Sequence, residues 1–260
     1  MPQPRIALSR PAIAGEVLDS AFQLFRISLI PCLPLSLTSV VLGQSATAYV
    51  LVQGQVAAGL WDRDPVWWLL AIGGGLLNLV LWCAVLLRQE CLARPSPLSL
   101  RSVLHLSGRR FPALLGLSVV ALLLTATGFL LLVIPGLYLS VALWFAFPAL
   151  VLDRESIGSS LATSLRLIRG NWWRTSMIAS VGGVAVLVFY VVGSVLGLTI
   201  AQLTSGGDVA GVLITMSIVT ALLGAVFMPF FSALTYALFA DLRMRRDGVD
   251  LARRIDAAAV

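Results

Sequence analysis

The sequence predicts an all-α polytopic membrane protein, and three observations carry that prediction. Of the 260 residues, 59% are hydrophobic and only 12% are charged, whereas a soluble domain carries roughly 25% charged residues. The mean hydropathy is +0.97. Six apolar runs reach about 20 residues, the length at which an α-helix crosses a bilayer. This composition excludes a soluble enzyme, a disulfide scaffold, a disordered chain and an ordinary nucleic-acid-binding protein.

We predict one integral membrane domain over residues 1–260. The six transmembrane spans are predicted over 29–54, 66–88, 111–133, 136–152, 175–203 and 209–240. Amphipathic helices in the membrane interface are predicted over 13–26, 98–110 and 157–169, followed by a cytoplasmic tail over 241–260. The tight turn signal at 134–136 makes the third and fourth spans antiparallel neighbours. Pro229 is expected to kink or divide the last span.

The chain also shows weak internal similarity. Residues 18–26 align without a gap with residues 161–169, with two leucines and one arginine at the same offsets, and residues 101–110 form a weaker third copy. In each copy the apolar residues recur with the helical period, as in helices that lie in the membrane interface. We therefore predict three repeats of one interfacial amphipathic helix followed by one transmembrane hairpin.

The distribution of the arginines predicts the orientation. All 18 cationic residues are arginine, and only Arg63 lies in the loops after spans one, three and five. By the positive-inside rule, both termini face the cytoplasm of a bacterial inner membrane. Residues 46–48 have the Ala-x-Ala form of a signal-peptidase site, but the segment before the first apolar run is too long for a signal peptide. We expect the N-terminal segment to be retained.

Arginines beside the predicted spans form the first candidate site. A guanidinium group can bind phosphate through two hydrogen bonds, and each juxtamembrane cation adds about 1 kcal/mol of attraction to an anionic leaflet. The candidate lipid-headgroup residues are Arg26, Arg109, Arg110, Arg166, Arg169 and Arg174. The alternative is that these residues only set topology and anchoring. Trp172 and Trp173 are predicted interfacial anchors.

Polar residues inside the spans are few. Asn78 and Tyr190 are candidate intramembrane polar contacts, for a substrate headgroup or for an interhelical hydrogen bond worth about 0.6 to 2 kcal/mol. For Asn78 the hydrogen bond is favoured. The middle of each span lacks ionisable residues, and the Asp, Glu, His and Cys residues do not have metal-ligand spacing. We therefore predict no catalytic residue, no metal site and no cofactor.

Four stretches carry a family resemblance. They are GEVLD at 15–19, IPGLY at 134–138, PALVL at 148–152 leading to SLRLIRG at 164–170, and DLRMRRDG at 241–248. The chain resembles a broad group of bacterial polytopic membrane proteins. The group includes the membrane domain attached to some glycerophosphoryl diester phosphodiesterases and stand-alone proteins of unknown function. The resemblance implies a helical membrane fold and a cytoplasmic tail. It implies no catalytic residue here, because none of the four stretches belongs to the catalytic domain.

These observations predict a non-enzymatic integral membrane protein. We expect an accessory or structural component of a membrane complex or of envelope lipid organisation. Its expected partners are membrane phospholipids, with anionic lipids preferred, and a membrane protein or complex, but not nucleic acid. The alternative is a transporter of a lipid or small solute, which needs a polar-lined cavity that reaches Asn78 or Tyr190 through the bundle. An intramembrane enzyme is disfavoured.

Overall fold

The computed structural model describes residues 12–54, 59–93, 99–206 and 208–258, with the side chains of 208–246 and of Gly248 in the last range. These residues are helical and contain no β-strand. The helices are α1 (Ala14–Gly43), α2 (Ser45–Val52), α3 (Pro65–Leu92), α4 (Leu100–Arg109), α5 (Phe111–Leu131), α6 (Val133–Trp144), α7 (Ala146–Leu152), α8 (Ile157–Ile168), α9 (Trp172–Ser205) and α10 (Val209–Ala258), with one 3-10 turn at Leu60–Asp62.

Six stretches of the described chain are long and apolar enough to cross a membrane. Five are the single helices α1, α3, α5, α9 and α10, and the sixth is α6 together with α7, over Val133–Leu152. The prediction of an all-α, multi-pass membrane protein is therefore confirmed. The short helices α4 and α8 lie where two of the three interfacial helices are predicted.

Local signals in the sequence explain where the helices begin and end. The side chains of Asp64, Ser99 and Ser156 each accept a hydrogen bond from the backbone N–H three residues later, which stabilises the starts of α3, α4 and α8. Gly206 follows the end of α9 with a φ of 60°, a left-handed conformation that glycine adopts without strain. Gly170 separates α8 from α9 with a φ of 88°.

The structure does not separate the first interfacial helix from the first span. α1 continues through the predicted boundary between 26 and 29, and the helix breaks instead at Gln44, before α2. The boundary is absent because its residues include no glycine and because one buried face continues across it. That face contains Val17, Ala21, Leu24, Ser28, Cys32 and Leu35. The predicted threefold repeat is therefore not confirmed.

The last helix is also longer than its predicted span. α10 contains Pro229 without a division and continues into the predicted tail over 241–260 as far as Ala258. A proline removes one helical N–H donor but keeps its carbonyl group. The carbonyl of Pro229 accepts a 2.7 Å hydrogen bond from the side chain of Gln89 in α3, so α10 packs against a neighbour at this position.

The hairpin of α5 and α6 is antiparallel and closely packed. Its turn is the single extended residue Leu132, with a φ of −168° and a ψ of 156°, and the predicted turn residues 134–136 form the start of α6 instead. A Cβ atom on Gly128 would lie 2.9 Å from the Cα atom of Gly136. The two glycines therefore allow the backbones of the two helices to approach closely.

The long helices form an antiparallel bundle with two chemically different ends. Ala12, before α1, contacts Asp241 in α10, whereas Gln44, after α1, contacts Thr220. One end of the bundle contains the first residues of α1, α5 and α9 and the last residues of α3 and α7. We call it the arginine-bearing end. Apolar side chains fill the bundle in two clusters, one around α1, α9 and α10 and the other around α3, α5 and α7.

Candidate functional site

A buried carboxylate organises the arginine-bearing end. The side chain of Asp241 is fully buried, and its Oδ2 atom accepts hydrogen bonds from Arg174 at 2.6 Å and from Arg245 at 3.0 Å. Its Oδ1 atom accepts a 2.9 Å hydrogen bond from the backbone N–H of Ala12. Both arginines also donate to the carbonyl oxygen of Ala12. We call these four residues the Asp241 cluster.

The Asp241 cluster joins three parts of the chain. Arg174 lies in the first turn of α9, Asp241 and Arg245 lie one turn apart in α10, and Ala12 precedes α1. The two arginine side chains are about one-quarter exposed, and their hydrogen bonds to protein atoms account for several of their donors. Arg174 is thus engaged within the protein, and the lipid-headgroup role predicted for it stays a prediction.

A second, more exposed ion pair lies beside the cluster. Arg243 in α10 pairs with Asp153 after α7, and its guanidinium group lies 5.5 Å from the ring centroid of Phe239. Burial raises the pKa of the Asp153 carboxyl above its ordinary value, and the charge of Arg243 partly offsets this effect. Since the side chain of Arg243 is about half exposed, this pair contributes little to stability.

The six predicted headgroup arginines fall into two classes. Arg174 belongs to the Asp241 cluster, and Arg110 is partly buried and donates a 2.8 Å hydrogen bond to the carbonyl oxygen of Leu150. The remaining four are exposed at the arginine-bearing end: Arg26, Arg109, Arg166 and Arg169. Among these four, only the guanidinium group of Arg166 has a hydrogen-bond partner within the described residues, at 3.3 Å from Thr163.

The predicted aromatic anchors have different surroundings. Trp173 is 76% exposed, as expected of a residue that contacts lipid or solvent. Trp172 is partly buried, stacks on Tyr138 with ring centroids 5.8 Å apart and donates a 3.4 Å hydrogen bond to the carbonyl of that residue. Trp173 is therefore the more exposed of the two predicted anchors.

A buried glutamine forms a polar bridge that the sequence did not reveal. The amide nitrogen of Gln89, near the end of α3, donates to Ser28 of α1 at 3.0 Å and to the carbonyl of Pro229 in α10 at 2.7 Å. Its Oε1 atom is buried without a hydrogen-bond partner among the described residues. The sequence predicts a span that ends at residue 88 and therefore places Gln89 in the following loop. A polar residue directly after an apolar run was the available signal.

The predicted interhelical hydrogen bond of Asn78 is present but long. Asn78 of α3 donates to the carbonyl oxygen of Ser39 in α1 at 3.4 Å, and Tyr190 is 39% exposed on α9. Asn78 thus connects α3 with α1, whereas Tyr190 lies on the surface of the bundle. The structure does not bring Asn78 and Tyr190 together within the described cavities.

We expect Gln89→Leu to lower the free energy of unfolding in detergent by about 1 kcal/mol, because interhelical hydrogen bonds in membrane proteins contribute about this much. The leucine keeps most of the buried volume. Asn78→Leu is the matched control and should cost less, since its hydrogen bond is longer and the residue is only half buried. A loss from Asn78→Leu equal to that from Gln89→Leu would contradict the prediction.

Two grooves on the bundle are lined mainly by apolar residues, and the lining of the first also includes Ser118, Thr125 and Ser140. One, of about 480 Å³, lies between α3, α5, α6 and α10 beside Trp82 and Trp144. The other, of about 580 Å³, lies between α1, α9 and α10. Neither lining includes Asn78 or Tyr190, so the two grooves do not favour the transport alternative.

The described residues contain no group of three or more His, Cys, Asp or Glu side chains placed to hold a metal ion. Cys32, Cys83 and Cys91 are buried and free. The guanidinium groups at the arginine-bearing end form hydrogen bonds and ion pairs.

Comparisons with known proteins identify a family without a known function. Residues 99–242 match the model of a family described as a domain of unknown function, DUF7847. The match covers more than half of the chain and includes Arg174 and Asp241, but not α1 or α3. No curated protein and no solved structure matches the chain. The expectation of an uncharacterised family is confirmed, whereas the comparisons show no link to glycerophosphoryl diester phosphodiesterases.

Proposed function

We propose that this chain, which belongs to the DUF7847 family, is a non-enzymatic membrane component that binds anionic phospholipid at its arginine-bearing end. Through this binding it would serve in a membrane complex or in the organisation of envelope lipids. The observation that carries the proposal is the set of exposed arginines Arg26, Arg109 and Arg169, whose guanidinium groups have no partner within the described residues.

The contrast with the buried arginines supports this proposal. The partly buried arginines have acceptors within the protein. Asp241 accepts from Arg174, and the carbonyl oxygen of Leu150 accepts from Arg110. The exposed arginines have their donors available for an external acceptor. A lipid phosphate is the acceptor that a membrane surface offers, and it matches the planar guanidinium group in charge and geometry.

We further propose that the protein lies in a bacterial inner membrane with its arginine-bearing end and both termini on the cytoplasmic side. The positive-inside rule supports this orientation. The opposite end contains Asp62, Arg63, Asp64 and Asp208 and is therefore slightly acidic. A non-enzymatic role is supported by the apolar interior. Apart from Cys and Tyr, no ionisable side chain occurs in five long ranges of the sequence: 27–61, 65–87, 111–152, 175–207 and 209–240.

Lipid retention tests the proposal. We expect the variant with Arg26, Arg109, Arg166 and Arg169 replaced by glutamine to retain at least about fivefold less anionic phospholipid than the wild type. One lost juxtamembrane cation costs about 1 kcal/mol, which corresponds to roughly a fivefold change. The measurement is the amount of phosphatidylglycerol that co-purifies in a mild detergent, quantified by mass spectrometry.

Arg63→Gln provides the matched control, because it removes an arginine from the opposite end of the bundle. Its lipid content should equal that of the wild type. Unchanged phosphatidylglycerol in the fourfold variant would contradict lipid binding and leave these arginines a role in topology alone. Equal losses in the fourfold variant and in Arg63→Gln would contradict a site at the arginine-bearing end.

A further inference from the structure

We infer that the groove between α1, α9 and α10 holds an acyl chain of an anionic phospholipid whose phosphate is bound by Arg26. This inference rests on the proposed lipid-binding function and assigns one specific lipid position to it. The occupant follows from three features: the apolar lining, the length of the groove and the cation at one end.

The lining of the groove is entirely hydrocarbon. It has a volume of about 580 Å³, and its wall residues are Phe, Leu, Val, Ala and Gly. They come from Phe22 and Phe25 of α1, from residues 185–196 of α9 and from residues 223–230 of α10. The α9 and α10 residues lie in the middle of stretches long and apolar enough to span a membrane. The contents of such a groove are therefore bilayer hydrocarbon rather than water.

Two sets of contacts give the groove its shape. Cβ atoms on Gly193 and Gly197 would lie 2.8 Å from Leu223 and Val219 respectively, so these glycines bring α9 and α10 together. This Gly-x-x-x-Gly pair therefore serves helix packing. Aromatic rings form the walls: Phe25 packs edge-on against Phe230, with centroids 5.6 Å apart. The result is a concave surface beside a close helix pair.

The length of the groove matches one leaflet. From Ala185 to Leu196, α9 rises about 16 Å, and half of the bilayer hydrocarbon is roughly 15 Å thick. The aromatic pair of Phe25 and Phe230 lies at the end nearer to Asp241, since Phe230 is the lining residue closest to it along α10. An extended acyl chain can therefore lie along the groove with its headgroup end beside Phe25 and Phe230.

Arg26 supplies the complementary charge at that end. It follows Phe22 by one helical turn on α1, which places the two side chains on the same helix face. A smaller cavity of about 250 Å³ is lined by Gln23, Arg26 and Ile27. The guanidinium group is exposed and has no partner within the described residues. An apolar groove beside a cation and an amide fits an amphiphile with a phosphate headgroup.

A partner helix fits this groove less well. Helices associate in membranes where small residues let their backbones approach, and the close-approach glycines Gly193 and Gly197 already face α10. The outer wall instead presents bulky, exposed rings, with Phe22 52% and Phe189 65% exposed. A flexible acyl chain can adapt to such a surface, whereas a second helix would leave gaps.

Photocrosslinking of the full chain in nanodiscs tests the inference. The probe is phosphatidylglycerol with a diazirine in one acyl chain, and labelled peptides are located by mass spectrometry. In the wild type we expect labelling within 185–196 and 223–230. Val192→Trp fills the groove and should reduce this labelling severalfold, whereas Val191→Trp, an equally exposed neighbour outside the lining, should not. Equal labelling in these two variants would overturn the acyl-chain site.

The headgroup assignment has its own readout. Arg26→Gln changes an exposed side chain and leaves the helix packing intact. It should lower the preference of the groove for the phosphatidylglycerol probe over a phosphatidylcholine probe by about fivefold. An unchanged preference would overturn the role of Arg26. Because groove labelling is measured separately from total lipid retention, the acyl-chain site and the wider arginine surface can fail independently.

Discussion

Asp241→Ala is expected to lower the free energy of unfolding by about 3 to 5 kcal/mol, as the loss of one partner from a buried ion pair does. The carboxylate is fully buried and accepts hydrogen bonds from Arg174, Arg245 and the backbone of Ala12. Its removal leaves two partly buried arginine side chains without their anion and removes the acceptor of the Ala12 backbone N–H. Reversible unfolding of the purified protein in mixed detergent micelles measures the loss.

Asp153→Ala is the matched control for this prediction. It also removes a carboxylate that pairs with an α10 arginine, but the side chain of Arg243 is 48% exposed. An exposed pair contributes at most about 1 kcal/mol. The expected order is therefore a large loss for Asp241→Ala and a small one for Asp153→Ala. Similar losses for the two variants would show that burial of Asp241 does not determine the stability of this end.

Gly74→Ala is expected to lower the free energy of unfolding by about 1 to 3 kcal/mol, as overpacking of a buried contact does. A Cβ atom on Gly74 would lie 2.7 Å from the carbonyl oxygen of Leu42 in α1. Since that neighbour is backbone, relief of the contact requires α1 and α3 to move apart. The same unfolding measurement in detergent detects the effect.

The neighbouring glycines in the same helix provide two controls. Cβ atoms on Gly73 and Gly75 would have no other atom within 4 Å, so alanine fits at both positions. Because alanine favours the helix over glycine, Gly73→Ala and Gly75→Ala should be neutral or stabilising by up to about 1 kcal/mol. Three equal effects would contradict the close approach of α1 and α3 at Gly74.

The fold was predictable where local pattern determines it. Apolar runs of membrane-spanning length predicted the six spanning stretches, and the caps at Ser99 and Ser156 lie near the predicted starts of the short helices α4 and α8. Amphipathicity alone did not predict the continuity of α1. A change from an amphipathic to an apolar pattern does not require the helix to break. No glycine interrupts the chain between 16 and 42, and this was the signal that favoured one long helix.

The candidate site was predictable only in part. The exposed arginines Arg26, Arg109, Arg166 and Arg169 lie at one end of the bundle, together with Arg174 and Arg110. A position beside a span does not show whether an arginine is exposed or bonded within the protein. The partner of Arg174, for example, lies 67 residues away in sequence. The Gln89 bridge joins α1, α3 and α10, so it depends on packing between segments that no local pattern specifies.

Lipid selectivity of the unmodified protein tests the central proposal most directly. The full chain is placed in nanodiscs with equal amounts of phosphatidylglycerol and phosphatidylcholine, and the lipids that remain bound on release from the nanodisc are identified by native mass spectrometry. We predict enrichment of phosphatidylglycerol that decreases as the salt concentration rises, because salt screens exposed charges. Equal retention of the two lipids at low salt would contradict a phosphate-binding role for the arginine-bearing end.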